Sequence, residues 1–448
     1  MTHPALVPAL AWLDQRIAQD TSLSPALFDQ LLAAERAQGL LHGTRPLCPF
    51  LRPHILHRSQ YEAISRAAES LATAFEHLAT VALQNPQIMS LLGLTPKEEA
   101  MARLDPGYPR LCVTSRLDTF CTDTGFQFLE YNAETPAGIS DQALMNNIFY
   151  KLPHLQEFLE QFPHWIPDPQ TRLLRALLET YRAWGGTKDK PHIGIVDWRG
   201  VPTWSEFEVL KIYFESQGYP TVICDPHELE YDNQVLRYGD FEIDIFYKRV
   251  IIHEFLDKFD ETHPLVRAYA GHQVCMINSF RAKIAHKKAG FAILSDEQFE
   301  HLFTPEQIEV FRNHIPWTRL VQDSKSTHKG KPIDLLDFIS QNRSHLVLKP
   351  SDDYGGHGVV IGWDVDQSTW ETAIKLATDH DFVVQERVPV QKIKIPLFTD
   401  QIETHELLVD FDPYLFNNQV EGGMVRLAAT SLVNVSSGGG EAPLLILE

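Results

Sequence analysis

The sequence predicts a mixed α/β and α+β fold preceded by a helical N-terminal region. Three observations carry this expectation. Apolar residues recur at helical spacing through much of the first hundred positions. A strand–helix–strand alternation begins at His192. Long runs of period-two alternation fill the last third, around a glycine-rich turn. At 448 residues the chain exceeds what one ordinary hydrophobic core supports, so two or three domains are expected.

Helical spacing covers residues 8–16, 24–41 and 61–83, with a shorter turn at 98–104. Strand-like runs follow at 111–120 and 126–132. A three-residue loop closing on glycine, Asp123 to Gly125, is a known hairpin connection. With that loop Asp118 lies opposite Glu130, and Arg116 lies opposite Asn132. Helices are expected at 141–149 and 171–184, the second stopped by Gly185 and Gly186. Strands at 192–198 and 221–225 flank a helix at 205–217, the pattern of a parallel sheet with a crossover. Further strands are expected at 241–250 and 272–279, then a helix at 281–288. A strand at 346–349, a polar glycine-rich turn at 351–358, strands at 359–363 and 382–388 and a helix at 369–377 read as an α+β unit. The alternating runs at 405–411 and 424–435 are strands. Residues 187–190 and 323–330 read as exposed loops.

Composition excludes several classes of function. A formal net charge of −20 disfavours a basic track for nucleic acid. No run approaches the roughly 20 apolar residues that cross a bilayer. The N-terminus lacks a basic stretch followed by an apolar one, so no secretory signal is expected. Five cysteines without CxxC spacing argue against a disulfide framework or a zinc site, and a cytoplasmic location is expected. Twenty histidines are scattered singly, with no HExxH spacing.

The candidate chemistry centres on the hairpin. Directly opposed side chains have Cβ atoms about 5 Å apart. Two carboxylates that close repel unless a cation or proton intervenes. Asp118 and Glu130 beside Arg116 are an oxygen-rich cluster of the kind that Mg²⁺ with bound phosphates requires. Lys349 ends a strand and precedes Gly355, Gly356 and Gly358. That segment is either a backbone cradle for phosphate or an ordinary hairpin turn. It is not a Walker A motif, because the GK[ST] ending is absent. Lys283 alone reads as a surface lysine. Glu386, beside Gln385 and Arg387, belongs to an edge ion pair or to the rim of a cleft. Arg426 either offsets charge on a transferred phosphoryl group or makes a structural ion pair. The run 433–440 ends in glycines and reads as a loop or a second cradle. Asp410 and Asp412 share one strand face, a spacing that either binds a metal or, as is common, lies on a solvated strand. Cys112, Cys121, Cys224 and Cys275 read as buried packing residues.

These pieces resemble the circularly permuted ATP-grasp proteins, a group related to glutathionylspermidine synthetase and more distantly to glutathione synthetase. The most specific match is Glu130-Tyr131-Asn132-Ala133-Glu134-Thr135-Pro136. Phe246 to Val250, Ile252 to Leu256, Leu348-Lys349-Pro350 and Val384-Gln385-Glu386 also resemble the family. Glu134 departs from it, standing where an aspartate is more familiar. The resemblance implies ATP and Mg²⁺ as cofactors, with Asp118, Glu130 and Asn132 as metal ligands. It implies phosphate contacts from Lys283 and Lys349, a lid carrying Gly355, Gly356 and Gly358, and sugar or base contacts from Gln385 and Glu386. Arg116 and Arg426 would offset charge at the reacting phosphoryl group. Residues 1–105 are then a helical region and 106–190 the metal-binding part of the catalytic sheet. Residues 191–280 are a substrate-side domain, 281–390 a nucleotide-binding lid, and 391–448 a return to the catalytic sheet. The implied activity is an ATP-dependent carboxylate–amine ligase acting through an acyl phosphate. Its substrates would be small carboxylates and amines, such as a peptide, an amino acid or a polyamine-like acceptor. Two other readings stay open: a hydroxyl or thiol acceptor, and a nucleotide-binding partner protein without catalysis. Dimerisation is common in related enzymes, and a homodimer fits the resemblance.

Overall fold

The computed structural model describes residues 3–20, 23–122, 124–353, 355–398, 401–430, 433 and 439–448. Its organising element is a six-stranded antiparallel sheet. Strands run in the order Gly440–Glu441, Gln419–Ala428, Ile402–Phe416, Thr114–Cys121 and Phe126–Asn132, and Lys392–Phe398 also pairs with Ile402–Phe416. Side chains alternate between faces along a strand. Here that alternation separates oil from charge. Val409, Phe411, Leu415, Val425, Leu427, Leu117 and Tyr131 enter the largest hydrophobic core. Asp410, Asp412, Met424, Arg426, Arg116, Asp118, Glu130 and Asn132 lie on the other face.

The apolar face is covered by the 27-residue helix Arg58–Gln84. Its stripe of Ile64, Leu71, Phe75 and Leu78 recurs at helical spacing. Phe75 packs on Tyr131 with ring centroids 4.9 Å apart. A capping box between His57 and Gln60 satisfies the first backbone donors. The N-terminal helices Val7–Gln19 and Pro25–Gln38 bear out the expected helical start.

The hairpin register is as expected at the critical positions, with Arg116 opposite Asn132 and Asp118 opposite Glu130. The route to it differs. Cys121 pairs with Phe126, so the connection is four residues, and a bulge after Asp118 restores the register. Asp123, the expected first loop residue, lies outside the described residues. The expected strand at 424–435 is described only to Ala428, and much of the 433–440 run also falls outside.

A four-stranded parallel sheet follows, ordered Cys275–Ile277, Ile245–Lys248, Ile193–Val196 and Thr221–Cys224. The expected strand at 241–250 divides. Phe241–Glu242 joins a separate antiparallel sheet with Leu229–Asp232 and Val235–Tyr238, and only Ile245–Lys248 enters the parallel one. A third sheet contains Thr318–Leu320, Phe382–Glu386, Leu346–Pro350 and Val360–Ile361. Helices Leu335–Gln341 and Gln367–Asp379 share its hydrophobic cluster, centred on fully buried Trp370. The expected helix at 281–288 is broken. Lys283–His286 ends at Lys287, whose backbone is extended, and Ala289–Leu294 starts anew. Ser351 makes the break tolerable: its carbonyl accepts the Lys288 N–H and its hydroxyl accepts that of Ala289.

Asn278 joins the parallel sheet to the hairpin strands. Its side-chain oxygen accepts the N–H groups of Val113 (2.7 Å) and Thr114 (3.1 Å). Its side-chain nitrogen donates to the carbonyls of Thr114, Ala133 and Glu134. The side chain is fully buried, so removing it strands several backbone groups away from water. Asn278→Ala is expected to lower the unfolding free energy by about 3 kcal/mol or more. Urea denaturation followed by circular dichroism measures the loss.

Candidate functional site

The polar face of the large sheet opens into a cavity of about 960 Å³. Arg116, Asp118, Glu130, Asn132 and Arg426 line its floor, and Lys349, Gly355, Gly356, Gln385 and Glu386 line the facing wall. Two sheets, one built from residues 114–132 and 392–441 and the other from 318–386, therefore enclose one space.

Arg426 is the hub of the floor. Its guanidinium lies 2.8 Å from Asp118, 2.7 Å from Asp410 and 2.6 Å from Asp412. Arg116 donates from Nε to Asp118 at 3.1 Å and stands 3.9 Å from Asp412. Asn132 donates to Asp118 at 2.7 Å. Three buried carboxylates thus share two guanidinium groups, and the acids respond unequally. Burial opposes the charge on Asp118, but Arg116 and Arg426 outweigh it and hold its carboxyl below the usual range. Burial pushes Asp410 up to about 6 against the pull of Arg426. It pushes Asp412 up further. Asp410 and Asp412 are fully buried here, where their spacing alone suggested a solvated strand.

Lys349 reaches Gln385, donating to Oε1 at 2.7 Å. Burial lowers its ammonium to about 8, with Glu130 pulling the other way. Gly355, Gly356 and Gly358 all have positive φ, a conformation that L side chains rarely adopt. Gly358 also packs against Pro350, where a Cβ would meet Cγ at 2.6 Å. Glu386 pairs with Lys329 at 2.8 Å. Tyr354, within the expected lid, lies outside the described residues.

Lys283 does not join the residues lining this cavity. It is fully buried, 2.8 Å from Glu134, 2.6 Å from Asp352 and 3.4 Å from Glu98. Burial opposes its charge, but Glu134 and Asp352 outweigh it and raise the ammonium above its ordinary value. Glu134, His286 and Asp352 offer ligand atoms within 4.8 Å of one another. The Lys283 ammonium already supplies positive charge at that point. The lysine that approaches the hairpin is Lys288, 3.3 Å from Glu130 and donating to the Asp353 carbonyl at 2.7 Å. Sequence reasoning passed it over because it treated 281–288 as one helix. The broken helix turns Lys288 toward the glycine loop.

The donor set suits a hard cation. Asp118 and Glu130 offer carboxylate oxygens beside the cavity, and a half-turn of the Asn132 amide exchanges its donor for an acceptor. The floor also carries more carboxylates than guanidinium groups.

No protein-family model matches the chain. An uncharacterised protein of Mycobacterium leprae is 24% identical over 436 residues, covering 90% of this chain and 72% of that protein. An uncharacterised protein of Mycobacterium tuberculosis is 25% identical over 345 residues, covering 72% of this chain and 58% of the relative. Among solved structures, a glutathione synthetase-like effector of Globodera pallida in its apo form has a TM-score of 0.59 at 11% identity. It covers 94% of this chain and 96% of its own. The likeness is one of fold, a mixed α/β architecture shared over nearly the whole of both chains. Among the described residues no helix is long and apolar enough to cross a membrane.

Two outcomes follow from the buried cluster. Arg426→Met removes the shared counter-charge of three acids and is expected to cost about 3–5 kcal/mol of unfolding free energy. Asp410 behaves differently. Its folded value of about 6 exceeds the ordinary 3.8, so the folded state favours the protonated acid. That contribution to stability is full at low pH and is lost as pH rises from about 4 through 6. Asp410→Asn escapes the loss. Its melting temperature relative to the parent should climb over that window and level off above it, as read by thermal unfolding at a series of pH values.

Proposed function

We propose that the chain is an ATP-dependent carboxylate–amine ligase that forms an amide through an acyl phosphate, releasing ADP and phosphate. The observation that carries this reading is the convergence of Arg116, Asp118, Glu130, Asn132 and Arg426 with Lys349 around one cavity. Lys349 and Lys288 bind phosphate oxygens, and the N–H groups of the glycine loop approach the same anion. Gln385 and Glu386 sit where a nucleotide's sugar or base would contact the wall. Asp118, Glu130 and Asn132 would hold Mg²⁺, which offsets phosphate charge when bound. Arg116 and Arg426 face the reacting carboxylate and offset charge that grows on the transferring phosphoryl group. The 351–358 segment covers the site and keeps water from the acyl phosphate. The five-part division set out from the sequence follows the same reading: sheet floor, substrate side and nucleotide lid.

The test is Mg²⁺-dependent ADP release from the purified chain supplied with pooled carboxylates and amines. Release requiring both an added carboxylate and Asp118 supports the ligase, and Asp118→Asn should reduce it at least a hundredfold. Nucleotide binding with no turnover in any pool would favour the non-catalytic reading. The lysines separate by role. Lys288→Ala and Lys349→Ala are expected to weaken ATP at least about tenfold. Lys283→Met is expected to act on stability, by about 3–5 kcal/mol, because it leaves buried Glu134 without its ion-pair partner. The parent's ATP affinity should fall as pH rises through about 8, where free Lys349 loses its proton. Lys349→Met should flatten that dependence in a calorimetric titration.

A further inference from the structure

The cavity has a third wall that the hairpin motif does not supply. Asp141 begins the helix Asp141–Phe149, Glu206 lies in the first turn of Trp204–Ser216, and Glu441 ends the short strand Gly440–Glu441. All three line the same cavity as Arg116 and Arg426. Glu441 stands directly opposite Arg426 in the sheet register. It is 3% exposed, and its Oε2 has no hydrogen-bond partner among the described residues. Glu206 is 5% exposed; its Oε1 accepts the Ile139 N–H at 2.9 Å, while Oε2 makes no hydrogen bond among the described residues and stands 3.5 Å from Arg249.

Among the described residues the charged and titratable groups facing this wall include Arg116, Arg249, Arg426, Tyr414, Tyr247 and Cys48. The guanidiniums are already committed. Arg426 serves Asp118, Asp410 and Asp412, and Arg249 donates to the Pro136 carbonyl and the Tyr247 hydroxyl. Tyr414 donates to the Ala137 carbonyl. Arg249 is the cation nearest Glu206, whereas no ion pair within 4 Å holds Asp141 or Glu441 among the described residues, and such acids are costly to keep ionised away from water. Burial and then the charge of Glu206 push Asp141 up to about 8, and burial and then Asp141 push Glu441 well above the usual range. A positively charged guest would relieve that cost. A hydroxyl or thiol brings no charge, and an anion would aggravate it.

We propose that Asp141, Glu206 and Glu441 form the acceptor subsite, which receives an aliphatic amine as its ammonium ion and takes up the proton it must lose before attack. The inference rests on the ligase reading. The nitrogen lone pair forms the C–N bond at the acyl carbon, and the C–O bond to phosphate breaks with its electron pair leaving on phosphate. Nitrogen sheds two protons: the first passes from the ammonium to a carboxylate of the wall before attack, and the second leaves with the phosphate as the amide forms. The reaction therefore selects amines over alcohols and thiols before chemistry begins.

The probe is n-butylamine, compared with 1-butanol and 1-butanethiol, titrated onto the full chain by ligand-observed NMR with and without ATP. The amine is expected to bind at least tenfold more tightly than either neutral analogue. Glu441→Gln and Asp141→Asn should each weaken it at least tenfold and leave ATP affinity unchanged, and Glu441→Asp should recover part of the loss. Calorimetry in two buffers of different ionisation enthalpy should show proton release on amine binding at pH 7, reduced in Glu441→Gln. If Glu441→Gln fails to fold, Asp141→Asn, on a different element, carries the comparison. Equal binding of amine and alcohol, or unchanged amine binding in both variants, overturns the subsite. ATP binding without amine binding rejects the subsite and leaves the ligase reading standing. Failure to bind ATP at all rejects the ligase reading.

Discussion

The alternation of the large sheet is the constraint on which the rest of the molecule depends. One face of its strands is oil and the other is charge, and neither tolerates exchange. A one-residue slip of the strand Ile402–Phe416 would send Asp410 and Asp412 into the core beneath helix Arg58–Gln84 and lift Val409 and Phe411 into the cavity. The bulge after Asp118 shows the constraint acting locally. The four-residue connection would leave Asp118 and Glu130 out of step, and one extra residue returns them to opposition. Register here is a chemical specification as well as a packing one.

A second network couples the floor to the glycine loop. Asp352 lies 2.6 Å from both Lys283 and Lys287, and both lysines also reach Glu98. Lys283 continues to Glu134, whose Oε2 accepts the Ile252 N–H. The start of the loop is thus tied to the hairpin's extension, to the N-terminal region and to the residues beyond the parallel sheet. Interior charge of this kind is weak evidence for stability, because its desolvation cost is large. Its value lies in geometry. Each lysine has carboxylates on several elements, so the elements have few relative positions that satisfy them all.

Much of this was legible in the sequence because alternation and residue type coincide. Arg116, Asp118, Glu130 and Asn132 fall on one face by parity alone, and the hairpin brings them together. The same parity places Asp410, Asp412 and Arg426, yet burial of the two aspartates could not be read. A DxD pair has the same spacing on a solvated strand, and only the neighbouring strands reveal which case applies. Lys283 and Lys288 show a different limit. Both sit in one apparently helical run, and the break at Lys287 comes from Ser351, more than sixty residues away in the chain. The strands His54–His57, Leu444–Leu447 and His164–Trp165 meet in one sheet. At two to four residues each, they are too short for period-two alternation to announce them.

The distribution of committed and uncommitted charge explains why the cavity has direction. On the floor Asp118, Asp410 and Asp412 each have a guanidinium within ion-pair distance, and Asp118 stays ionised despite its burial. On the wall of Lys349 burial leaves an ammonium whose proton is held less tightly than usual, against the pull of Glu130. On the wall of Asp141 and Glu441 the imbalance is reversed. A molecule entering such a space meets a cationic side, a neutralised floor and a side of acids that hold their protons until a cation arrives. Association is favoured when a guest's charges run the opposite way, because each buried imbalance is then relieved rather than deepened. An anionic polyphosphate on one side and a cationic nitrogen on the other, with a carboxylate carbon between them above the arginines, is the arrangement that relieves both walls at once.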